Sequence, residues 1–288
     1  MGAGAIFDTM NKTPKVLVAL SIWLAGCSTA NVPVPAALPT APVPDVVFVP
    51  TPFPVVDQML AVAKVGPGDV LYDLGSGDGR IVIAAAKRFG IRATGIDIDP
   101  KRIEESNFNA DTAGVRDRVN FRTADLFETD LREASVVTLY LLPALNVRLR
   151  PKLFNELAPG SRVVSHSFDM DDWKADSTLA VQARVIYYWV MPANVDGAWE
   201  LVIDPGAQER RHKLDIDQKY QELTSATVDG GQQVAGARVR GDSVHFFLGT
   251  AGNPAATEFH GRVKEDSMAG TYRTATASGA WHAAREKD

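Results

Sequence analysis

The sequence predicts an α/β fold with a mostly parallel sheet, followed by a smaller antiparallel β domain. Three observations carry this. A strand, a tight glycine turn and a helix follow one another over residues 70–89. Strand-like apolar runs then alternate with helical periods as far as Met191. From Gly197 onward the period drops to two, and turn residues recur at short intervals. Alternating βα units build parallel sheets, whereas short strands joined by tight turns build antiparallel sheets or barrels.

Length and composition set the frame. At roughly 150 residues per domain, 288 residues allow two domains, and an apolar fraction of 45% supports a sizeable core. The net charge of −5, with no long basic run, argues against general nucleic-acid binding. Cys27 is the only cysteine, so no internal disulfide exists.

The N-terminal stretch reads as a targeting signal. Lys12 and Lys15 precede an apolar run at 16–24, and Leu24-Ala25-Gly26-Cys27 follows. That is a basic region, a short apolar core and a small-residue end, as in a secretory signal. The run falls well short of the ~20 residues that span a bilayer. Residues 1–9 lack signal character, so Met10 is the more natural start. Leu-Ala-Gly-Cys resembles the lipobox of bacterial lipoproteins, which implies that residues 1–27 are a signal peptide and that Cys27 carries the lipid. The implied location is the cell envelope, at the periplasmic face of the outer membrane in a host with two membranes, since Ser28 rather than an aspartate follows the cysteine; if the signal is not used, the location is cytoplasmic. Eight prolines between Val32 and Pro54 make an extended spacer, of which 28–46 forms a linker.

Residues 55–65 then show helical spacing, stopped by Gly66-Pro67-Gly68. The central stretch follows. Residues 70–74 read as a buried strand with Asp73 inside its C-terminal end, and Gly75, Gly77 and Gly79 alternate behind it, with Ser76 between the first two. Glycine lets a backbone approach a ligand closely. A dinucleotide fingerprint would read G-x-G-x-x-G. Here the spacing is G-x-G-x-G, and Asp73 sits two residues before it. A carboxylate repels a pyrophosphate but attracts an ammonium and a sulfonium, which favours S-adenosylmethionine (SAM) over NAD. An ordinary tight turn remains the alternative for the glycines alone.

A second strand, 92–99, ends in acids. Asp97 lies 20 residues beyond Gly77, the distance at which an acid binds ribose hydroxyls. Asp99 is the better helix cap, because Pro100 then takes the first helical position. A third strand, 119–124, leads to Asp125, placed to accept from an adenine amino group, and to Leu126, placed to pack on the base.

The remaining core elements are a helix at 100–113 ended by Gly114, a strand at 135–142, a helix at 143–157 and a strand at 162–167. A strand at 183–191, rich in aromatics, suits a half-buried sheet edge. No long helix is expected between 167 and 178. The C-terminal strands are expected at 199–203, 213–216, 233–240, 244–248, 258–263 and 268–274. Residues 238–244 repeat as 262–268, an offset of 24, which reads as two successive hairpins of a sheet or small barrel.

In order, Asp73-Leu-Gly-Ser-Gly-Asp-Gly79, Gly95-Ile-Asp97, Ala124-Asp125-Leu126 and the strand Val136-Val-Thr-Leu-Tyr140 resemble the class I SAM-dependent methyltransferases. The resemblance covers about residues 47–192. With Phe48-Val-Pro-Thr-Pro52 upstream, the chain is similar to the ATP synthase c-subunit lysine methyltransferases and their bacterial relatives. It implies a Rossmann-like, seven-strand, mostly parallel sheet over 47–195, the antiparallel β domain then occupying 196–288. It also implies SAM as cofactor and a methyl acceptor that includes protein lysine. Thr51 becomes a candidate SAM contact, unless Pro50 and Pro52 only stiffen the loop.

Many amino-methyltransferases place Asn or Asp-Pro at the end of the fourth strand. Tyr140-Leu-Leu-Pro143 departs from that pattern. It argues against DNA-base methylation and leaves Tyr140 as the polar group nearest the transfer site. Methyl transfer needs positioning more than a strong acid or base. His166 ends the fifth strand in the same rim and reads as a hydrogen-bonded structural histidine. The five histidines have no metal-ligand spacing, and Asp169, Asp171 and Asp172 lack a calcium-loop pattern, so no metal is expected. SAM is made in the cytoplasm, which conflicts with export, so a non-catalytic exported binding or scaffold lipoprotein stands as one alternative to a protein-lysine methyltransferase, and a small-molecule methyltransferase as another.

Overall fold

The computed structural model describes residues 47–204, 209–250 and 252–286. The signal-like segment, Cys27 and the linker 28–46 lie outside the described residues.

After α1 (Phe53–Val62), strand β1 (Val70–Leu74) is an interior strand of a seven-stranded sheet. The strands beside it are β2 (Arg92–Asp97), β3 (Val119–Thr123), β4 (Val136–Leu139), β5 (Arg162–His166), β6 (Ser177–Val181) and β7 (Arg184–Val190). Their order is β3-β2-β1-β4-β5-β7-β6, with β7 antiparallel to both neighbours and the pairs from β3 to β5 parallel. Parallel strands are covered on both faces, which is why Val70–Leu74 reads as a nearly continuous apolar run. Leu71, Ala93, Val136 and Val164 face α1, α2 (Arg80–Phe89) and α3 (Pro100–Ala113). Tyr72, Leu74, Val137 and Leu139 face α4 (Pro143–Glu156) through Leu149 and Leu153.

The caps follow the sequence. Asp99 Oδ1 accepts from the Lys101 amide at 2.9 Å, with Pro100 at the first helical position. Gly114 ends α3 with φ 69°.

One expectation is corrected. The aromatic strand is not the sheet edge. Residues Gln182 and Ala183, at φ 48° and 60°, turn the chain so that β6 pairs outside β7. Trp189 is fully buried, and β6 is the edge. The short segment 177–181 is largely exposed, with no buried face to give a strand signal.

The C-terminal part is a closed barrel of eight antiparallel strands in sequence order: β8 (Gly197–Ile203), β9 (Arg210–Lys219), β10 (Glu222–Val228), β11 (Gln232–Arg240), β12 (Ser243–Leu248), β13 (Thr257–Lys264), β14 (Ser267–Arg273) and β15 (Ser278–Arg285). The repeat falls on two successive hairpins, β11–β12 and β13–β14. Strands β10 and β15 are the ones that periodicity misses, being polar and alanine-rich. Yet β15 closes the barrel by pairing with β8. Eight strands leave an interior that side chains just fill. Phe246 and Phe259 stack at 4.6 Å, and Trp281 stands edge-on to both. The indole fits because Gly261 and Gly270 pair opposite it. A Cβ on Gly261 would overlap the Trp281 ring.

The sheet and the barrel pack together. The Trp173 indole N–H donates to Gln221 Oε1 at 2.8 Å, and the Gln221 amide donates to Lys174 O at 2.7 Å. Asp172 accepts from Arg150 at 2.5 Å and from the Tyr220 hydroxyl at 2.9 Å, and pairs with Lys219 at 3.0 Å. The acidic turn at 169–172 is therefore part of a junction.

Candidate functional site

The sheet reverses its order between β1 and β4, and ligands of open α/β sheets bind in the crevice at such a point. A cavity of about 460 Å³ lies at the C-terminal ends of these strands. Thr51, Asp73, Gly75, Ser76, Asp97, Asp125, Leu126 and Tyr140 all line it. Residues from five separate stretches of sequence thus meet at one site. Gly77 is not among the lining residues.

The glycine turn works differently from the expectation that its amides face a ligand. The Gly75 and Ser76 amides both donate to Ile96 O, at 2.8 and 2.9 Å. The Gly77 amide donates to Asp97 Oδ2 at 2.8 Å. These donors are spent on tying the turn to β2. The glycines provide close approach instead. Gly77 has φ 54°, and a Cβ there would overlap the Phe48 ring. Phe48 therefore roofs the turn, and Arg102 lies over the same ring at 4.9 Å. The sequence motif that contains Phe48 did not reveal its contact with the turn, and Arg102 gave no signal at all, because both reach the turn from stretches more than twenty residues away.

The acids set the electrostatics. Asp73 is buried, and its one hydrogen-bond donor among the described side chains is the Thr138 hydroxyl, at 2.7 Å. Burial, followed by the charges of Asp97 and Asp78, pushes its pKa up to about 7. Asp97 accepts from the Gly77 and Asp99 amides, yet burial still raises its pKa. Asp125 Oδ1 accepts from the Phe127 amide at 2.8 Å, which orients the loop carrying Leu126. A buried acid without a cation beside it is costly. The Ser76 hydroxyl is also buried without a partner. This donor set fits a ligand carrying positive charge and hydroxyls, as SAM does. Asp73 would face the cationic end, Asp97 the ribose, and Asp125 with Leu126 the adenine.

The Thr51 segment is held by Arg80. The guanidinium donates to Thr51 O at 2.9 Å and pairs with Asp78 at 2.5 Å. The Thr51 hydroxyl lies 3.1 Å from His166 Nδ1. His166 is fully buried, and burial, with the Arg184 charge second, lowers its pKa to about 4. It is a neutral, hydrogen-bonded residue packed under Tyr140, with ring centroids 3.9 Å apart. Tyr140 follows the last residue of β4 and is partly exposed. Phe168 stacks behind it at 6.2 Å.

Comparison with known proteins agrees with this geometry. The ANTKMT methyltransferase domain family matches residues 73–177. A protein-lysine N-methyltransferase from Saccharolobus islandicus is 47% identical over 141 residues, which cover 49% of this chain and 88% of that protein. The mouse adenine nucleotide translocase lysine N-methyltransferase is 37% identical over 41% of this chain, which spans 52% of that relative's length. A crystal structure of an RNA methyltransferase from Salinibacter ruber, bound to S-adenosyl-L-homocysteine, is 56% identical, with a TM-score of 0.50 over 51% of this chain and 96% of that one. The chain belongs to the SAM-dependent methyltransferases.

Proposed function

We propose that the protein methylates the ε-amine of lysine in a protein substrate. The observation that carries this is the 47% identity to a protein-lysine N-methyltransferase across 88% of its length. The site is consistent with it. SAM supplies an electrophilic methyl group on a positive sulfonium, and the acceptor must arrive as a neutral amine. Tyr140 lines the cavity, and Phe168 and the neutral, buried His166 pack against its ring. Such desolvating surroundings lower the pKa of an amine. A second reading, RNA methylation, has in its favour the 56% identity to the Salinibacter ruber protein. Against it stands the net charge of −5, since RNA affinity rests largely on basic contacts to phosphate.

The test is incubation of the full chain with methyl-labelled SAM and separated protein and RNA fractions. Lysine methylation predicts label recovered as methyl-lysine after protein hydrolysis. Label in the RNA fraction alone would overturn the proposal.

We also infer that Cys27 anchors the enzyme to a membrane as a lipoprotein. The basic residues Lys12 and Lys15, the short apolar run and Leu24-Ala-Gly-Cys27 support this. No helix among the described residues is long and apolar enough to cross a membrane.

A further inference from the structure

Three histidine and glutamate side chains that are scattered in sequence meet on the outer face of the barrel. His245 on β12 and His260 on β13 are direct cross-strand partners. Glu258 lies two residues before His260, hence on the same face. Both neighbours of His245, Val244 and Phe246, point into the barrel core. The expectation of no metal ligands rested on linear spacing, and antiparallel pairing overrides it.

We propose that His245, Glu258 and His260 form a binding site for a divalent transition metal of the zinc class. His245 Nε2 and His260 Nε2 lie 3.0 and 3.1 Å from the same oxygen, Glu258 Oε1. One ligand atom from each residue lies within 4.8 Å of the others. Tetrahedral zinc with bonds of about 2.0–2.1 Å separates its ligands by about 3.3 Å. Both histidine–glutamate spacings match that value closely. Two imidazoles and a carboxylate are the three-ligand set of zinc sites that keep an open fourth position. His260 is mostly exposed while the other two are partly buried, so one side of the group is open to solvent.

The supporting shell is also present. Glu258 Oε2 accepts from Arg273 at 2.8 Å, which orients the carboxylate and leaves Oε1 for the metal. Ligating carboxylates are commonly held this way. Arg273 and Arg238, the cross-strand neighbour of His245, add positive charge around the group. Binding therefore rests on imidazole coordination rather than on net negative charge. That selects zinc, cobalt or copper over calcium and magnesium, which need oxygen-rich, anionic sites. Both histidines also border a groove between the barrel and the sheet, lined by Arg162, Tyr188 and Arg240 among others.

The test uses the full chain, stripped of metal by chelator dialysis. Titration with Co²⁺ alone is followed by visible absorption, and Zn²⁺ is measured by its displacement of Co²⁺. One equivalent should bind with tetrahedral-type bands. His260→Ala and Glu258→Gln should each weaken binding tenfold or more, and His245→Ala with His260→Ala should abolish it. Zn²⁺ should raise the melting temperature of the wild type and not of the double variant. Circular dichroism verifies that the variants fold, and the exposed His260→Asn change serves as a variant that leaves the core untouched. Absence of a stoichiometric site in the wild type, or equal binding by the double variant, would overturn the proposal.

Discussion

The Gly77 amide donates to the Asp97 carboxylate at 2.8 Å, so the acid read as a ribose ligand also anchors the glycine turn to the second strand. Its other oxygen accepts from the Asp99 amide at 2.9 Å. One side chain thus ties the turn, the end of β2 and the start of α3 to the cavity wall.

The first prediction follows from this dual role. Asp97→Ala removes a charged acceptor from the ribose position and from two amides. Hydrogen bonds to charged groups are worth about 1.5–3 kcal/mol, so SAM affinity should fall roughly tenfold to a hundredfold. Stability should fall as well, by about 1–3 kcal/mol, because the amides lose their acceptor. Calorimetry with SAM and thermal melts of the ligand-free protein measure the two effects. Unchanged affinity in a destabilised variant would leave Asp97 a purely structural residue.

Asp73 predicts a pH dependence. Its folded pKa, about 7, lies above the ordinary 3.8, so the folded protein holds this proton more tightly than the unfolded chain. The contribution to stability is complete below about pH 4 and is lost as pH rises to about 7. A cationic ligand prefers the ionised form. SAM affinity should therefore rise between pH 6 and 8 in the wild type and be lower and flatter in Asp73→Asn. Dissociation constants across that range check this, and a wild-type profile as flat as the variant's would refute it.

Tyr140 directly follows β4 and lines the cavity. If its hydroxyl positions the amine, Tyr140→Phe should lower kcat about threefold to tenfold, the worth of one neutral hydrogen bond. The SAM dissociation constant should stay the same. Single-turnover rates and equilibrium binding separate the two. A normal kcat in the variant would reduce Tyr140 to an aromatic packing partner of His166.

The barrel core yields a stability prediction. Trp281 is buried against Phe246, Phe259 and the glycine pair. Trp281→Ala should cost about 3–5 kcal/mol. Gly270→Ala should be at least as harmful, since its Cβ would collide with His260 O, a backbone atom that cannot swing away. Denaturant midpoints provide the measurement. A Gly270→Ala protein of wild-type stability would mean that the paired strands separate more easily than this packing implies.

The last prediction concerns the envelope. Cys27→Ser should abolish palmitate labelling and move the protein from the membrane fraction to the soluble fraction. Stable anchoring needs more than one acyl chain, as lipoprotein processing supplies. Recovery of the wild-type chain as soluble cytoplasmic material with Met1 or Met10 intact would rule out the anchor, and with it the conflict between export and cytoplasmic SAM.

Much of the site was legible because its signals are local. A strand ending in Asp73, three alternating glycines, an acid 20 residues on and a third strand ending at Asp125 form a pattern set by the backbone needs of each βα unit. The cap at Asp99 and the stop at Gly114 follow from the same short-range chemistry.

What only the tertiary structure decided is which distant residues meet. The arrival of Phe48 over Gly77, the Arg80 clamp on Thr51, the placing of Thr51 against His166 and the closure of the barrel by β15 depend on strand order and register. So does the convergence of His245, Glu258 and His260. Periodicity reports which face of an element is apolar, a property of neighbours in sequence. Pairing is settled by how the whole set of apolar faces is buried at once, and no single stretch of residues carries that information.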